Sequence, residues 1–192
     1  KLEIPDDTAQ QYKLTFIDSR NNLWFTAQNG IMKWNLKNNH SENLGVDMKD
    51  STISPINFAR SIAEDNQHHF WISTVTNGFN EWYVDDWNQQ HWKNYNTSTF
   101  PDLKSDIIGE IKKDYEGNLW IGTVAGMIKF SPVTRKKISE DSQQTGLWSD
   151  NLQVNFALTP SGKLVICNYG ALNILDLKAR HKNKFSPIPV IT

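Results

Sequence analysis

Three times in this chain an aspartate stands six residues ahead of a tryptophan, at Asp18 and Trp24, Asp65 and Trp71, and Asp114 and Trp120. The flanking residues repeat with them. Phe16-Ile17-Asp18 runs to Leu23-Trp24-Phe25-Thr26, Ile62-Ala63-Glu64-Asp65 to Phe70-Trp71-Ile72-Ser73-Thr74, and Ile111-Lys112-Lys113-Asp114 to Leu119-Trp120-Ile121-Gly122-Thr123. A fourth copy keeps the frame, with Thr159 in place of the aspartate and Val165 in place of the tryptophan. The anchor positions 24, 71, 120 and 165 lie 47, 49 and 45 residues apart. A period of that length describes like units that bury their faces against one another.

The units read as β-structure. Their apolar runs are short, rich in Ile, Val, Phe and Trp, and broken by Asn, Gly and Asp. Asp114-Tyr115-Glu116-Gly117-Asn118 is a hairpin turn in which the aspartate accepts backbone N–H bonds and the glycine supplies a positive φ. Thr123-Val124-Ala125-Gly126 is a second turn, a third strand runs through Phe130, and a looser fourth lies near 136–139. No stretch of twelve residues keeps a helical apolar stripe. Four short antiparallel strands in every 45 or so residues make a propeller blade. Apolar residues on both faces of Leu119-Trp120-Ile121-Gly122-Thr123 fit a sheet packed between two neighbours. Trp24, Trp71 and Trp120 then fill the gaps between blades, and Gly122 admits the adjacent sheet. The expected fold is therefore all-β: a β-propeller of about four four-stranded blades over residues 1–185, with repeats centred on 12–36, 58–95, 107–139 and 152–178.

Composition narrows the function. A formal net charge of −1 argues against a general nucleic-acid binder. Cys167 is the single cysteine, which excludes an internal disulfide and a cysteine-built zinc site. No apolar run approaches the roughly 18 residues of a membrane helix. No nucleophile elbow, phosphate loop or zincin motif occurs, so no catalytic residue is named and no cofactor is expected.

Ile111 to Phe130, with its Asp-x-x-Gly-Asn-Leu-Trp-Ile-Gly-Thr-x-x-Gly core, resembles the two-component regulator propeller repeat. Thr145-Gly146-Leu147-Trp148-Ser149-Asp150-Asn151 resembles that family's connector, with Trp148 where proline is usual, and Asp102 to Ile107 is a looser copy. The second repeat departs at Gln67-His68-His69, where Gly-Asn stands in the family, and at Ser73. Residues 186–192 resemble the linker into an immunoglobulin-like (three-Tyr) module. The resemblance implies a periplasmic sensor segment of a membrane-bound receptor whose output is a histidine kinase, a diguanylate cyclase or a DNA-binding regulator. Many members in gut bacteria sense glycans. It also implies a ring of about seven blades, of which this chain would be the C-terminal part. Lys1 to Asp6 then reads as the end of an outer strand. The ring would be completed by the rest of the propeller or by a homo-oligomer. Contact with a membrane would come only through downstream segments.

Propeller ligands sit at the channel, on the face that carries the connectors between blades and the turns between second and third strands. There Arg60, Asn77, Trp148, Asp150, Asn151 and Tyr169 are candidates for a small molecule or oligosaccharide. An aromatic face stacks on sugar C–H groups while Asp, Asn and Arg bond hydroxyls or carboxylates. The competing reading gives Asp150 and Asn151 to turn formation and Trp148 to a blade interface. Trp82, Trp87, Trp92 and Tyr95, near a turn at Asp85-Asp86, are candidates for a partner surface, against simple packing on their own blade. His68-His69 is a tempting metal pair, but neighbours in a strand diverge and no third ligand is evident. Alternatives to a sensor are a propeller-scaffold enzyme such as a polysaccharide or antibiotic lyase, or a structural dimerisation platform.

Overall fold

The computed structural model describes residues 13–27, 30–44, 56, 58–142, 147, 149, 151, 156–168 and 171–178. Blade 1 comprises β1 (Lys13–Ile17), β2 (Asn22–Ala27), β3 (Gly30–Asn35) and β4 (His40–Leu44). Blade 2 comprises β5 (Ala59–Glu64), β6 (Phe70–Thr74), β7 (Phe79–Val84) and β8 (Gln90–Tyr95). Blade 3 comprises β9 (Ile108–Lys113), β10 (Leu119–Thr123), β11 (Gly126–Ser131) and β12 (Lys136–Asp141). Blade 4 has three described strands, β13 (Phe156–Leu158), β14 (Lys163–Asn168) and β15 (Ala171–Asp176). Every sheet is an antiparallel meander, and the four pack in chain order as the blades of a propeller, first against second, second against third, third against fourth. No helix occurs among the described residues.

The spacing of six has a direct cause. One carboxylate oxygen of each aspartate accepts the backbone N–H groups two and four residues on, as Asp18 does from Arg20 and Asn22, Asp65 from Gln67 and His69, and Asp114 from Glu116 and Asn118. The other oxygen accepts the indole N–H of the tryptophan, at 2.8, 2.8 and 3.0 Å for Trp24, Trp71 and Trp120. One side chain thus closes the turn and satisfies the polar edge of a ring that is otherwise buried. The turn is a three-residue hairpin whose last loop position is left-handed, with φ of 63° at Asn21, 64° at His68, 83° at Gly117 and 87° at Gly162. His68 and Asn21 bear this conformation where the resemblance leads one to expect glycine. In blade 4 both halves of the motif change together. Thr159 Oγ1 still accepts from Lys163 N–H at 3.0 Å, and Val165 brings no indole that needs an acceptor.

Each sheet has a front and a back. Trp24 on the front of blade 1 meets Phe70, Ile72 and Trp82 on the back of blade 2. Trp71 and Phe79 on the front of blade 2 meet Ile111, Leu119, Ile121 and Phe130 of blade 3. Trp120 and Met127 meet Phe156, Leu164, Ile166 and Leu175 of blade 4. The repeated tryptophans are therefore the inter-blade packing the sequence implies. Ser73, where blade 3 has Gly122, sits close against the next blade, its Oγ 3.2 Å from the carbonyl of Gly109.

Candidate functional site

The innermost strands of blades 1 to 3 each carry an irregularity, as does the outermost strand of blade 3, where the pairing skips Ile138. In β1 the pairing with β2 skips Thr15, in β5 the pairing with β6 skips Arg60, and in β9 Gly109 and Glu110 together oppose one residue of β10. A one-residue bulge breaks the alternation of side chains and re-aims one of them, a device common beside binding sites. Arg60 is exposed as a result. Across the interface Ser61 Oγ lies 3.0 Å from Glu110 Oε1 and accepts the N–H of Ile111 at 3.2 Å. Lys112 Nζ pairs with the same Glu110 oxygen at 2.8 Å. Arg60 and the Glu110–Lys112 pair thus belong to the innermost strands of blades 2 and 3.

The loops above this edge are firmly tied. Thr74 Oγ1 donates to the carbonyl of Gly78 and accepts the N–H of Asn77, both at 3.0 Å, and Thr123 caps the equivalent turn in blade 3. That gives the repeated threonine its purpose. Gly78 N–H donates to the carbonyl of Asp106 at 2.8 Å, which joins the turn to the connector that follows blade 2. Val75 N–H donates to the carbonyl of Phe58. Phe58 itself has a φ of 56° and is 44% exposed. A bulky residue in that region is a genuine conformational outlier, and such strain persists where the surroundings impose it.

Of the sequence candidates, Arg60 and Asn77 stand on this face of blade 2, and Asn151 is exposed in the connector ahead of blade 4, its N–H bonded to Ser149 Oγ. Trp148, Asp150 and Tyr169 lie outside the described residues. The structure supplies another aromatic group, Phe58, and the Glu110–Lys112 pair, none of which the sequence singled out. Phe58 falls in the 54–60 connector, but its backbone conformation leaves no mark in residue type.

Of the partner-surface candidates, Trp82 and Tyr95 are buried, Tyr95 opposite Phe79 beside the Gly78 turn, Trp92 is half-buried against the first interface, and Trp87 is 81% exposed at the tip of the β7–β8 hairpin. That tip repeats the aspartate turn: Asp85 accepts from Trp87 and Gln89 N–H, and its second oxygen pairs at 2.7 Å with His91, six residues on. The bond from His91 and those from the backbone hold the Asp85 carboxyl below its ordinary range.

His68 and His69 reach different glutamates in different interfaces. His68 Nδ1 lies 2.7 Å from Glu64 Oε1, and Glu64 also accepts from Ser19 N and Oγ of blade 1. His69 Nδ1 lies 2.8 Å from Glu81 Oε1. Glu81, only 1% exposed, takes a bidentate pair from Arg135 of blade 3 at 3.0 and 2.7 Å and a bond from Tyr95 Oη. Burial pushes both glutamates up. For Glu64 the bonds from His68 and Ser19 outweigh it, and for Glu81 those from Arg135 and His69, so both carboxyls lie below the ordinary range. Burial and the Glu81 charge push the Tyr95 hydroxyl up. These groups clasp blades together. Among the described residues no group of three His, Cys, Asp or Glu side chains is placed to hold a metal ion.

No protein-family model matches the sequence, and no curated protein matches it either. Solved structures do. The extracellular domain of a protein assigned as a hybrid two-component system in B. thetaiotaomicron aligns with 89% of this chain at 19% identity and a TM-score of 0.66. A second such domain from the same organism aligns with all of it at 17% identity and a TM-score of 0.53. A virginiamycin B lyase from Staphylococcus aureus aligns with 99% of this chain and 58% of its own length, at 12% identity and a TM-score of 0.68. At these identities the likeness establishes a shared β-propeller fold, and this chain spans 24% and 31% of the length of the two extracellular domains.

Proposed function

We propose that this chain is the ligand-recognition segment of an extracytoplasmic bacterial receptor of the two-component type, and that it takes an oligosaccharide on the face that carries Phe58, Arg60 and Asn77. The observation that carries this reading is the bulge that exposes Arg60 two residues from a strained, exposed Phe58. A ring face for sugar C–H groups, a fork of donors for hydroxyls or a carboxylate, and a carboxamide at the neighbouring turn are the chemistry such a ligand needs. The propeller fold shared with two extracellular sensor domains supports the receptor context, as do the repeat motif and its connector. Binding biases the receptor by favouring one placement of the modules that follow the propeller, which requires a different affinity for each placement.

The test is a thermal-shift and calorimetric screen of neutral and uronic oligosaccharides against the chain and its Phe58→Ala and Arg60→Ala variants. A ligand that raises the melting temperature of the parent and of neither variant supports the site. Binding undiminished in both variants removes the ligand from this face. Turnover of a bound polysaccharide moves the chain to the lyase class, which the shared fold with virginiamycin B lyase keeps in view.

A further inference from the structure

The inner strands of blades 1 and 2 begin with one sign of charge. Lys13 opens β1 and is exposed, and Arg60 stands second in β5, exposed on its bulge. The two stand at one level. Lys13 pairs with Thr26, Arg60 lies beside the pair of Ser61 with Ser73, and Thr26 and Ser73 each follow their blade's tryptophan by two residues. β1 packs against β5. Partners across an antiparallel pair share a side of the sheet, so Lys13 belongs with Thr26 and Trp24 to the front of blade 1, the side that meets blade 2. Ser61 holds the same place in blade 2, and from there it reaches Glu110 and the carbonyl of Ile111 in the inner strand of blade 3. The repeat therefore directs Lys13 to the part of β5 that holds Arg60. In blade 3 the same bulge carries Gly109 in the place of Arg60, so the two cations are particular to blades 1 and 2. Asp102, Asp106 and Glu110, the acids of the connector after blade 2 and of β9, are engaged elsewhere. Asp102 pairs with Lys137 at 2.9 Å, Asp106 accepts the N–H and the hydroxyl of Thr97 at 2.7 and 3.1 Å, and Glu110 pairs with Lys112 at 2.8 Å.

We infer that the ligand is an acidic oligosaccharide, one whose sugars carry a carboxylate or a sulfate, and that Lys13 and Arg60 hold that anionic group from the inner strands of blades 1 and 2. This rests on the oligosaccharide reading above and narrows it. Cations on adjacent strands repel, and an anion held by both relieves the repulsion. The guanidinium fork fixes the plane of the group while the ammonium adds a point charge. The Phe58 ring, two residues before Arg60, is left for the C–H face of a sugar. Charge of one sign at a binding mouth also draws in a ligand of the other. The arrangement needs only blades 1 and 2, and so holds for any number of blades in the complete ring.

The test is calorimetric binding of paired probes that differ only in charge: tetragalacturonate against its carboxyl-reduced form, and a sulfated galactan tetramer against its desulfated form. The inference expects at least one acidic probe to bind about tenfold more tightly than its neutral counterpart, the worth of one charge-assisted bond, and to weaken as salt rises. The two arms tell which anionic group is held. Lys13→Gln, at an exposed position, keeps the melting temperature, lowers the affinity of the acidic probe about tenfold and leaves that of the neutral probe unchanged. Lys37→Gln, in the turn after β3 at the other end of the blade, changes neither affinity. Equal affinity for the charged and neutral members of each pair overturns this inference and leaves the oligosaccharide reading standing. An acidic preference that survives both Lys13→Gln and Arg60→Gln overturns it as well. Binding of none of the four probes overturns the inference and the oligosaccharide reading together.

Discussion

Trp71 Nε1 donates to Asp65 Oδ2 at 2.8 Å, and the other oxygen of Asp65 closes the turn between them. Neither residue is satisfied without the other. The natural fourth copy, with Thr159 and Val165, shows what the pair becomes when both change. Trp120→Val alone takes the indole donor from Asp114 Oδ2, leaving it Lys129 Nζ at 3.2 Å, and opens a cavity, while Asp114→Thr alone removes the acceptor of a buried indole N–H. We expect the double substitution to cost less than the sum of the singles by about 1–2 kcal/mol, read as a double-mutant cycle in urea.

The left-handed position of the same turn gives a second prediction. Gly117→Ala places a Cβ at a φ of 83° and toward the Asn66 side chain. It should lower stability by about 1–2 kcal/mol, the cost of a left-handed alanine. Gly117→Asn should cost less, because asparagine already bears this conformation at position 21.

Glu81→Ala leaves Arg135, Tyr95 and His69 without their shared acceptor at the blade 2–3 interface. Arg135 remains partly solvated, so we expect a loss of about 2–3 kcal/mol, below the upper range for breaking a buried pair. The clasp also sets an acid limb. Folding lowers the Glu64 and Glu81 carboxyls below their ordinary value of 4.5, so their contribution is complete above that pH and fades as pH falls through the lower folded values. Melting temperature should be flat on this account above about pH 5 and fall below it, with a shallower fall in Glu81→Gln.

Phe58→Gly relieves a left-handed phenylalanine and removes its ring. Stability should rise by up to about 1 kcal/mol while oligosaccharide binding is lost. A variant that loses stability would show that Phe58 serves packing.

The blades, their order and their turns are legible in the sequence because each follows from contacts a few residues long. Asp18, Asp65 and Asp114 announce their turns, and Trp24, Trp71 and Trp120 announce their interfaces. The indole bond is also there to be read, in the constant spacing of six. Glu81 with Arg135 is not, because the partners are 54 residues apart and occupy different places in their repeats. Trp82 and Tyr95 look like surface aromatics beside an outer hairpin, yet the alternation of side chains puts them on opposite sides of blade 2, one in the first interface and the other in the second. Phe58 and Glu110 are marked by backbone geometry rather than by residue type.

The aspartate–indole bonds each close a loop of six residues, while the clasps between blades span 45 and 54. The entropy of closing the short loop is small and that of the long one larger, and the short contact can form first. A nascent chain can therefore finish the first hairpin of each blade soon after its tryptophan leaves the ribosome. Assembly then proceeds by docking preformed hairpins in the order of their synthesis, and the blade without the bond, the fourth, has to borrow its order from the third.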